Sequence, residues 1–387
     1  MPRYYFDHNA TTPVAPEVVA ALLPCLGQDY GNASSIHFFG QQAKQRLEGA
    51  RRQVAGLLGC RPNEIVFTSG GTEANNLAIL GVVRSMARER RHVITTTIEH
   101  PCVLDACRQL EKEGVEVTYA PVGSNGVVSS GEIRAALRPH TVLISVMYAN
   151  NETGTVQPIR EIAVIAREAG VLMHTDGVQS TGKIPVDVRE LGVDLYALSG
   201  HKIYGPKGAG ALYARQGVRL APLQYGGHQE RDRRPGTENV AGLVALGQAA
   251  ELAGRDLRSE GERVAALRDR LEKELFGRIP FAGVNGKSAP RVPNTTNMYF
   301  EFLEGEAMVI ALDLKGIAVS TGAACSSGSV EPSHVLTAMG MTAERARASI
   351  RFSLGRQNTA EHVTALVEAV TAVVGRLRKL SPVCQTT

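Results

Sequence analysis

Between residues 64 and 214 the chain repeats one pattern: a short, continuously apolar run, then a stretch with helical spacing. The seven runs are IVFT, HVITTT, VEVTYA, VLISVM, VLMHT, LYALS and ALYA. Strict apolar/polar alternation would mark strands with one wet face, whereas unbroken apolar runs mark strands covered by helices on both faces. The pattern therefore predicts an α/β architecture built on a mainly parallel, seven-stranded sheet. The intervening helices are legible too: Ala43, Leu47, Ala50, Val54 and Leu57 recur at three- and four-residue steps and stop at Gly59.

After Gly254 the pattern changes. Leu257, Val264, Leu267, Leu271 and Leu275 mark one face of a long amphipathic helix, and a last helix carries Val363, Leu366, Val370, Val373, Leu377 and Leu380 as its stripe. At 387 residues the chain is longer than one core usually serves, which is roughly 250–300 residues. Two domains are expected: a large one over 12–258, and a smaller α+β domain made from 1–11 and 259–387. The long helix would connect them, since no Gly/Ser-rich or proline linker intervenes.

Charge and cysteine content exclude several function classes. The net charge of +4 is spread over 42 basic and 38 acidic residues, which makes no electrostatic case for nucleic acid. The basic run Arg84 to Arg91 is short, lacks aromatic partners and reads as a solvated helix end. No apolar stretch approaches the roughly 18 residues of a spanning helix, and MPRYYFDHNATTP has no apolar targeting core. A cytoplasmic protein without membrane contact is expected. The six cysteines show no C-x-x-C spacing, so free thiols are expected and no resident metal.

Chemistry is expected where the strands end, because open α/β sheets bind ligands beyond their carboxyl ends. SGGTEANNLAIL follows the run that ends at Thr68 and joins a Gly-rich turn to a helix start, whose amides suit a phosphate. Taken alone, simple capping by Ser69 or Thr72 explains it equally well. VLMHT runs into Asp176, and LYALS runs into Ser199, Gly200, His201 and Lys202. A carboxylate and an amine at buried strand exits are costly unless paired. Either they pair with each other, or both address one ligand, the carboxylate facing a protonated ring nitrogen and the amine binding covalently; that ligand would be pyridoxal phosphate. A nicotinamide cofactor is disfavoured, because the GPKGAG stretch has the wrong glycine spacing and precedes a strand.

The ordered motifs DHNATTPV, FTSGGTE, IEHPCVLD, ANNETGTVQPI, HTDGVQS, SGHKIYGPKG, GGHQERDRRPGTENV, STGAACSSGSVEPSH and IRFSLGR span nearly the whole chain. Together they resemble the cysteine desulfurases of the NifS/IscS type, in the class V aminotransferase superfamily of fold type I, and GGHQER with RRPGTEN lies closer to the NifS branch. The resemblance implies that Lys202 holds pyridoxal 5'-phosphate covalently and that Asp176 pairs with its ring nitrogen. It implies Gln179 donating to the phenolic oxygen and His100 stacking on the ring and moving protons. Gly71, Thr72, Ser199 and His201 would hold the phosphate, with Thr237 reaching across from a neighbouring subunit of a homodimer. Arg351 would bind the carboxylate of L-cysteine, with Asn151 assisting there or at the cofactor oxygen.

By the same resemblance Cys325 is the nucleophile. A lone cysteine is usually a small buried hydrophobe, as expected of Cys60 and Cys107, but the Gly/Ser-rich stretch around Cys325 carries no helix or strand stripe. It would accept the sulfur as a persulfide and pass it to a scaffold of the NifU/IscU type for iron–sulfur assembly, where it would also be able to ligate a nascent cluster. Departures from the family pattern are Gly177 in place of alanine, and Thr321 and Ala323 in the cysteine segment. The alternatives are a selenocysteine lyase, an aminotransferase, and a non-catalytic scaffold. An aminotransferase would have no use for Cys325, and a scaffold predicts an eroded site.

Overall fold

The structure, a computed structural model, describes residues 2–86, 91–322 and 331–380. All seven apolar runs are strands of one sheet, in the order Ile65–Thr68, Gly210–Ala214, Leu195–Ser199, Leu172–Asp176, Thr141–Ser145, His92–Thr96, Glu116–Ala120. Neighbours pair in parallel except Gly210–Ala214, which runs antiparallel to both strands beside it. From His92–Thr96 the chain goes outward to Glu116–Ala120, then returns to the other side at Thr141–Ser145. The winding reverses there, and a crevice opens at the carboxyl ends of strands flanking such a reversal.

Helices cover both faces of the sheet. Phe38–Leu58 and the long helix Val240–Arg278 close one face, with Leu47, Val54, Phe67 and Leu246 in their shared core. Gly71–Ser85 and Pro101–Lys112 close the other, around Leu77, Val93, Val103 and Leu195. Phe38–Leu58 stops where the sequence says: Gly59 adopts the left-handed conformation, with φ 69°.

The long helix differs from expectation. It spans 39 residues and starts at Val240, well before Gly254. Its first half buries Leu243, Val244, Ala245, Leu246, Ala249 and Ala250, so it is apolar nearly all round and leaves no 3.6-residue signature to read. The last helix, Ala360–Leu380, buries its stripe through Val373, but Leu380 is 73% exposed.

A second core lies against an antiparallel sheet ordered Ser349–Ser353, Thr295–Phe300, Ala282–Val284, and includes Phe6, Phe300, Ile350 and Phe352. Tyr4–Tyr5 pairs in parallel with Ile317–Ala318 on that side. The next residues then cross to the large sheet, where the Thr12 amide donates to the His201 carbonyl at 2.9 Å. The N-terminal segment thus runs along the seam between the two cores. No described helix is long and apolar enough to cross a membrane.

Candidate active site

A cavity of about 330 Å³ opens at the carboxyl ends of the parallel strands, against the N-terminal segment and the smaller sheet. Its walls bring together Gly71, Thr72, His100, Asn151, Asp176, Gln179, Ser199, His201, Lys202 and Arg351, residues spread over 281 positions of sequence from 71 to 351. One described residue expected at the site is not on this wall. Thr237 is exposed on the loop before the long helix. Cys325 and Ala323 lie outside the described residues, although Gly322, just before them, lines the cavity.

Asp176 is the last residue of strand Leu172–Asp176, so sheet geometry fixes its backbone. Oδ1 accepts from the Val178 amide at 2.9 Å, and Oδ2 accepts from Asn75 Nδ2 at 2.8 Å. Burial raises the pKa of this carboxyl; His100, these hydrogen bonds and Lys202 oppose the shift. A carboxylate in such a place is stabilised by a cation brought into the cavity. Asn75 belongs to helix Gly71–Ser85 and is itself buried; its Oδ1 has no hydrogen-bond partner among the described residues.

His100 caps helix Pro101–Lys112, accepting the Cys102 amide at Nδ1 at 3.2 Å. A backbone N–H can only donate, so neutral His100 carries its proton on Nε2. Burial holds its pKa below the ordinary imidazole value, Lys202 and His334 adding to the shift while Asp176 opposes it. The Cys102 thiol lies 3.0 Å from Nδ1, and burial pushes it up to about 12, which keeps it protonated and unreactive.

Helix Gly71–Ser85 points its first turn into the cavity without a side-chain cap. The capping alternative for Ser69 and Thr72 is therefore not what is found, and the first amides stay available to an anion. A Cβ on Gly71 would come within 2.6 Å of Val178 Cγ2, so this approach needs glycine. Ser199 ends its strand and His201 follows; burial, with Lys202, Lys207 and Lys183 nearby, lowers His201 to about 4.

Lys202 sits in the short helical turn Gly200–Lys202, and its Nζ donates to the carbonyls of Asn9 at 2.5 Å and Ala10 at 2.8 Å. Arg351 comes from the central part of strand Ser349–Ser353. Nη1 donates to the Asn151 carbonyl at 3.0 Å and Nη2 to Asp7 Oδ1 at 2.6 Å, while buried Nε lacks a partner among the described residues.

Sequence reasoning did not single out Asp7, Asn9, Asn75 or Lys183. Asn9 joins the parts: its carbonyl accepts from Lys202 and from Gln179 Nε2, its Oδ1 from Lys183 and Asn294, and its Nδ2 donates to Asn151 and Thr295. The only signal was the DHNATTPV motif, in which the side-chain partners of Asn9 lie 142 to 286 positions away. Gly177 has a local reason. A Cβ there would fall 1.9 Å from Tyr196 Cζ, and the buried Tyr196 hydroxyl bonds Ser180 and Thr181 at 2.8 and 2.9 Å.

Residues 4–366 match the model of the aminotransferase class-V family. The chain is 50% identical over 378 residues to the cysteine desulfurase IscS of Methanosarcina thermophila, covering 98% of this chain and 93% of that one. It is equally 50% identical to a cysteine desulfurase of Nostoc sp., covering 98% and 94%. Among solved structures, a NifS-like protein superposes with a TM-score of 0.91 at 37% identity, covering 97% of this chain and all of that one. SspA in complex with cysteine superposes with a TM-score of 0.81 at 38% identity, covering 91% and 99%.

Proposed function

Because this chain belongs to the class-V aminotransferase family, among its cysteine desulfurases, we propose that it converts L-cysteine to L-alanine and carries the released sulfur as a persulfide on Cys325. One observation carries the assignment of the site: a single cavity is walled by a buried carboxylate at Asp176, an imidazole at His100, an amine at Lys202 and a guanidinium at Arg351. Few small molecules need all four. A pyridine ring with an aldehyde and a phosphate, presented with an amino acid, does.

The residues fit pyridoxal phosphate. The volume suits a ligand of that size, and the buried atoms Asn75 Oδ1 and Arg351 Nε on its wall lack partners among the described residues, as expected where a polar ligand completes the hydrogen bonding. Lys202 would hold the cofactor through Nζ, Asp176 would pair with its ring nitrogen, and Gln179 would donate to its phenolic oxygen. Gly71, Thr72, Ser199 and His201 would hold its phosphate at the helix N-terminus, and Thr237 would reach the phosphate of the second subunit of a homodimer. When bound, the cofactor supplies a cationic ring that takes up electron density from the substrate carbon.

The chain's own residues do the rest. Arg351 binds the substrate carboxylate, exchanging Asp7 for it or sharing it, and Asn151 fixes the guanidinium through its carbonyl. His100, neutral near pH 7 and protonated on Nε2, is placed to move a proton within the cavity. The Cys325 thiolate attacks the sulfur of cysteine: a sulfur–sulfur bond forms, the carbon–sulfur bond breaks with its electron pair left on carbon, and protonation of that carbon yields alanine. The persulfide is then passed to an acceptor of the NifU/IscU type.

The test is direct. Protein saturated with pyridoxal phosphate should release alanine from L-cysteine, and Cys325→Ala should lower turnover by more than about 100-fold. Borohydride should fix the cofactor to the peptide carrying Lys202 and not to that peptide in Lys202→Ala. Undiminished sulfide from the Cys325 variant, or fixation at another lysine, would overturn the assignment.

A further inference from the structure

Lys183 has no part in the roles above, yet this half-buried amine stands just behind Gln179, which lines the cavity. It stands four residues beyond Gln179 in one tight turn, where the Thr181 amide bonds the Gly177 carbonyl and the Lys183 amide bonds the Ser180 carbonyl. Its Nζ donates to Gln179 Oε1 and, at 3.0 Å, to Asn9 Oδ1. Gln179 Nε2 in turn donates to the Asn9 carbonyl at 3.0 Å.

These contacts fix which way the Gln179 amide points. A backbone carbonyl only accepts, so the Gln179 atom facing Asn9 must be the NH2, and the atom facing Lys183 is then the oxygen, which accepts an N–H from the amine whether or not the amine is charged. The Asn9 carbonyl gives this orientation independent of how oxygen and nitrogen were assigned. One of the two N–H bonds goes to Asn9. The other is left on a side chain that is 5% exposed and lines the site cavity.

We infer that Lys183 is a positioning residue: by occupying the oxygen of Gln179 it makes that amide a donor, and never an acceptor, toward the ligand in the site. This rests on the proposed cofactor, whose phenolic oxygen would receive the bond. Without Lys183 the amide loses its oxygen-side partner and is held by the Asn9 carbonyl alone.

The surroundings support a role that ordinary packing would not fill. Lys202, Arg351, His8 and His201 are the charged or titratable groups facing Lys183, and burial together with Lys202 and Arg351 holds its pKa well below the lysine range. Behind it a second cavity of about 60 Å³, whose wall includes Asp256, Glu260 and Arg356, touches both Lys183 and Lys202. A cavity of that size with charged side chains on its wall has room for water beside the amine. Keeping a lysine there is costly, and the return is the fixed amide.

The readout is the pH midpoint at which the visible absorption of the bound cofactor changes. A donor on the phenolic oxygen favours its ionised form and lowers that midpoint. Lys183→Met should therefore raise it by about one pH unit, Gln179→Leu should raise it similarly, and the double variant should shift no further than Gln179→Leu alone. Lys183→Arg, which keeps a donor, should stay near the native value. Additive shifts would mean that Lys183 acts as a charge and not through Gln179, and an unmoved midpoint in Lys183→Met would dismiss the role; either overturns the inference. Should Lys183→Met fail to fold, Lys183→Ala removes the same donor and is judged by the same outcomes. Absence of any visible band in the native holoprotein would instead sink the cofactor reading beneath it.

Discussion

Position 177 shows how a residue that breaks a family pattern acquires a physical reason. The Tyr196 ring occupies the space that an alanine methyl would need. Gly177→Ala should cost about 1–3 kcal/mol in urea unfolding, as overpacking of a buried site does, and an unchanged midpoint would show that Tyr196 moves aside freely. Glu99, beside His100, offers a second test. It is fully buried; Oε1 accepts from Thr96 at 2.6 Å and Met147 at 2.9 Å, and burial pushes its carboxyl up to about 8 from 4.5. Between those two pH values the folded chain holds a proton that the unfolded chain has released, so this group's contribution to stability falls as pH rises through the window. Glu99→Gln cannot lose that proton. Its stability relative to the native chain should climb by about 1.4 kcal/mol per pH unit from pH 5 to pH 8, and parallel curves would reject the assignment.

At the level of elements, the loop that carries Thr237 is tethered by one buried ion pair. Within the turn Gln229–Asp232, Glu230 accepts from Arg51 Nη1 at 2.8 Å, from Arg51 Nη2 at 2.7 Å and from the Phe67 amide at 2.9 Å. Arg51 lies on helix Phe38–Leu58, so the loop is fixed to the body of the large sheet. Glu230, Arg231 and Asp232 all have positive φ, at 46°, 57° and 64°. Three successive non-glycine residues in that region carry strain that the Glu230 anchor offsets. Glu230→Ala removes the buried carboxylate from Arg51, leaving it only the half-exposed Glu48 carboxylate and the Ile65 carbonyl, and should cost about 3–5 kcal/mol. Thermal melting measures that loss. If the loop serves the second subunit's phosphate, the same variant should also weaken cofactor retention in the dimer. A melting point within about 2 °C of the native chain would show the pair to be dispensable.

In the whole molecule, the site lies where two cores meet, and Asn9 holds that seam. Its side chain exchanges bonds with Lys183, Asn294, Asn151 and Thr295, and its amide donates to Ser353 Oγ at 2.9 Å. Asn9→Ala removes the side-chain bonds and strands several buried partners, for a cost of about 2–4 kcal/mol in urea unfolding; a loss under about half a kcal/mol would show that water replaces the side chain. Much of this molecule was legible without coordinates. The seven apolar runs are seven strands because continuous burial on both faces writes itself into consecutive residues, and the helix ending at Gly59 is legible because a left-handed cap wants glycine. Asp176, Ser199 and Lys202 stood out as polar residues at apolar strand exits. The start of the long helix did not, since a helix buried all round has no period, and neither did the pairing of Lys183 with Gln179 and Asn9. Local burial and turn chemistry act between neighbours in the chain, so the sequence alone determines strands, caps and exits. The orientation of the Gln179 amide, the Asp7–Arg351 pair and the room that Tyr196 takes from position 177 arise between residues far apart in the chain or turned toward each other by the sheet, and only tertiary packing decides them.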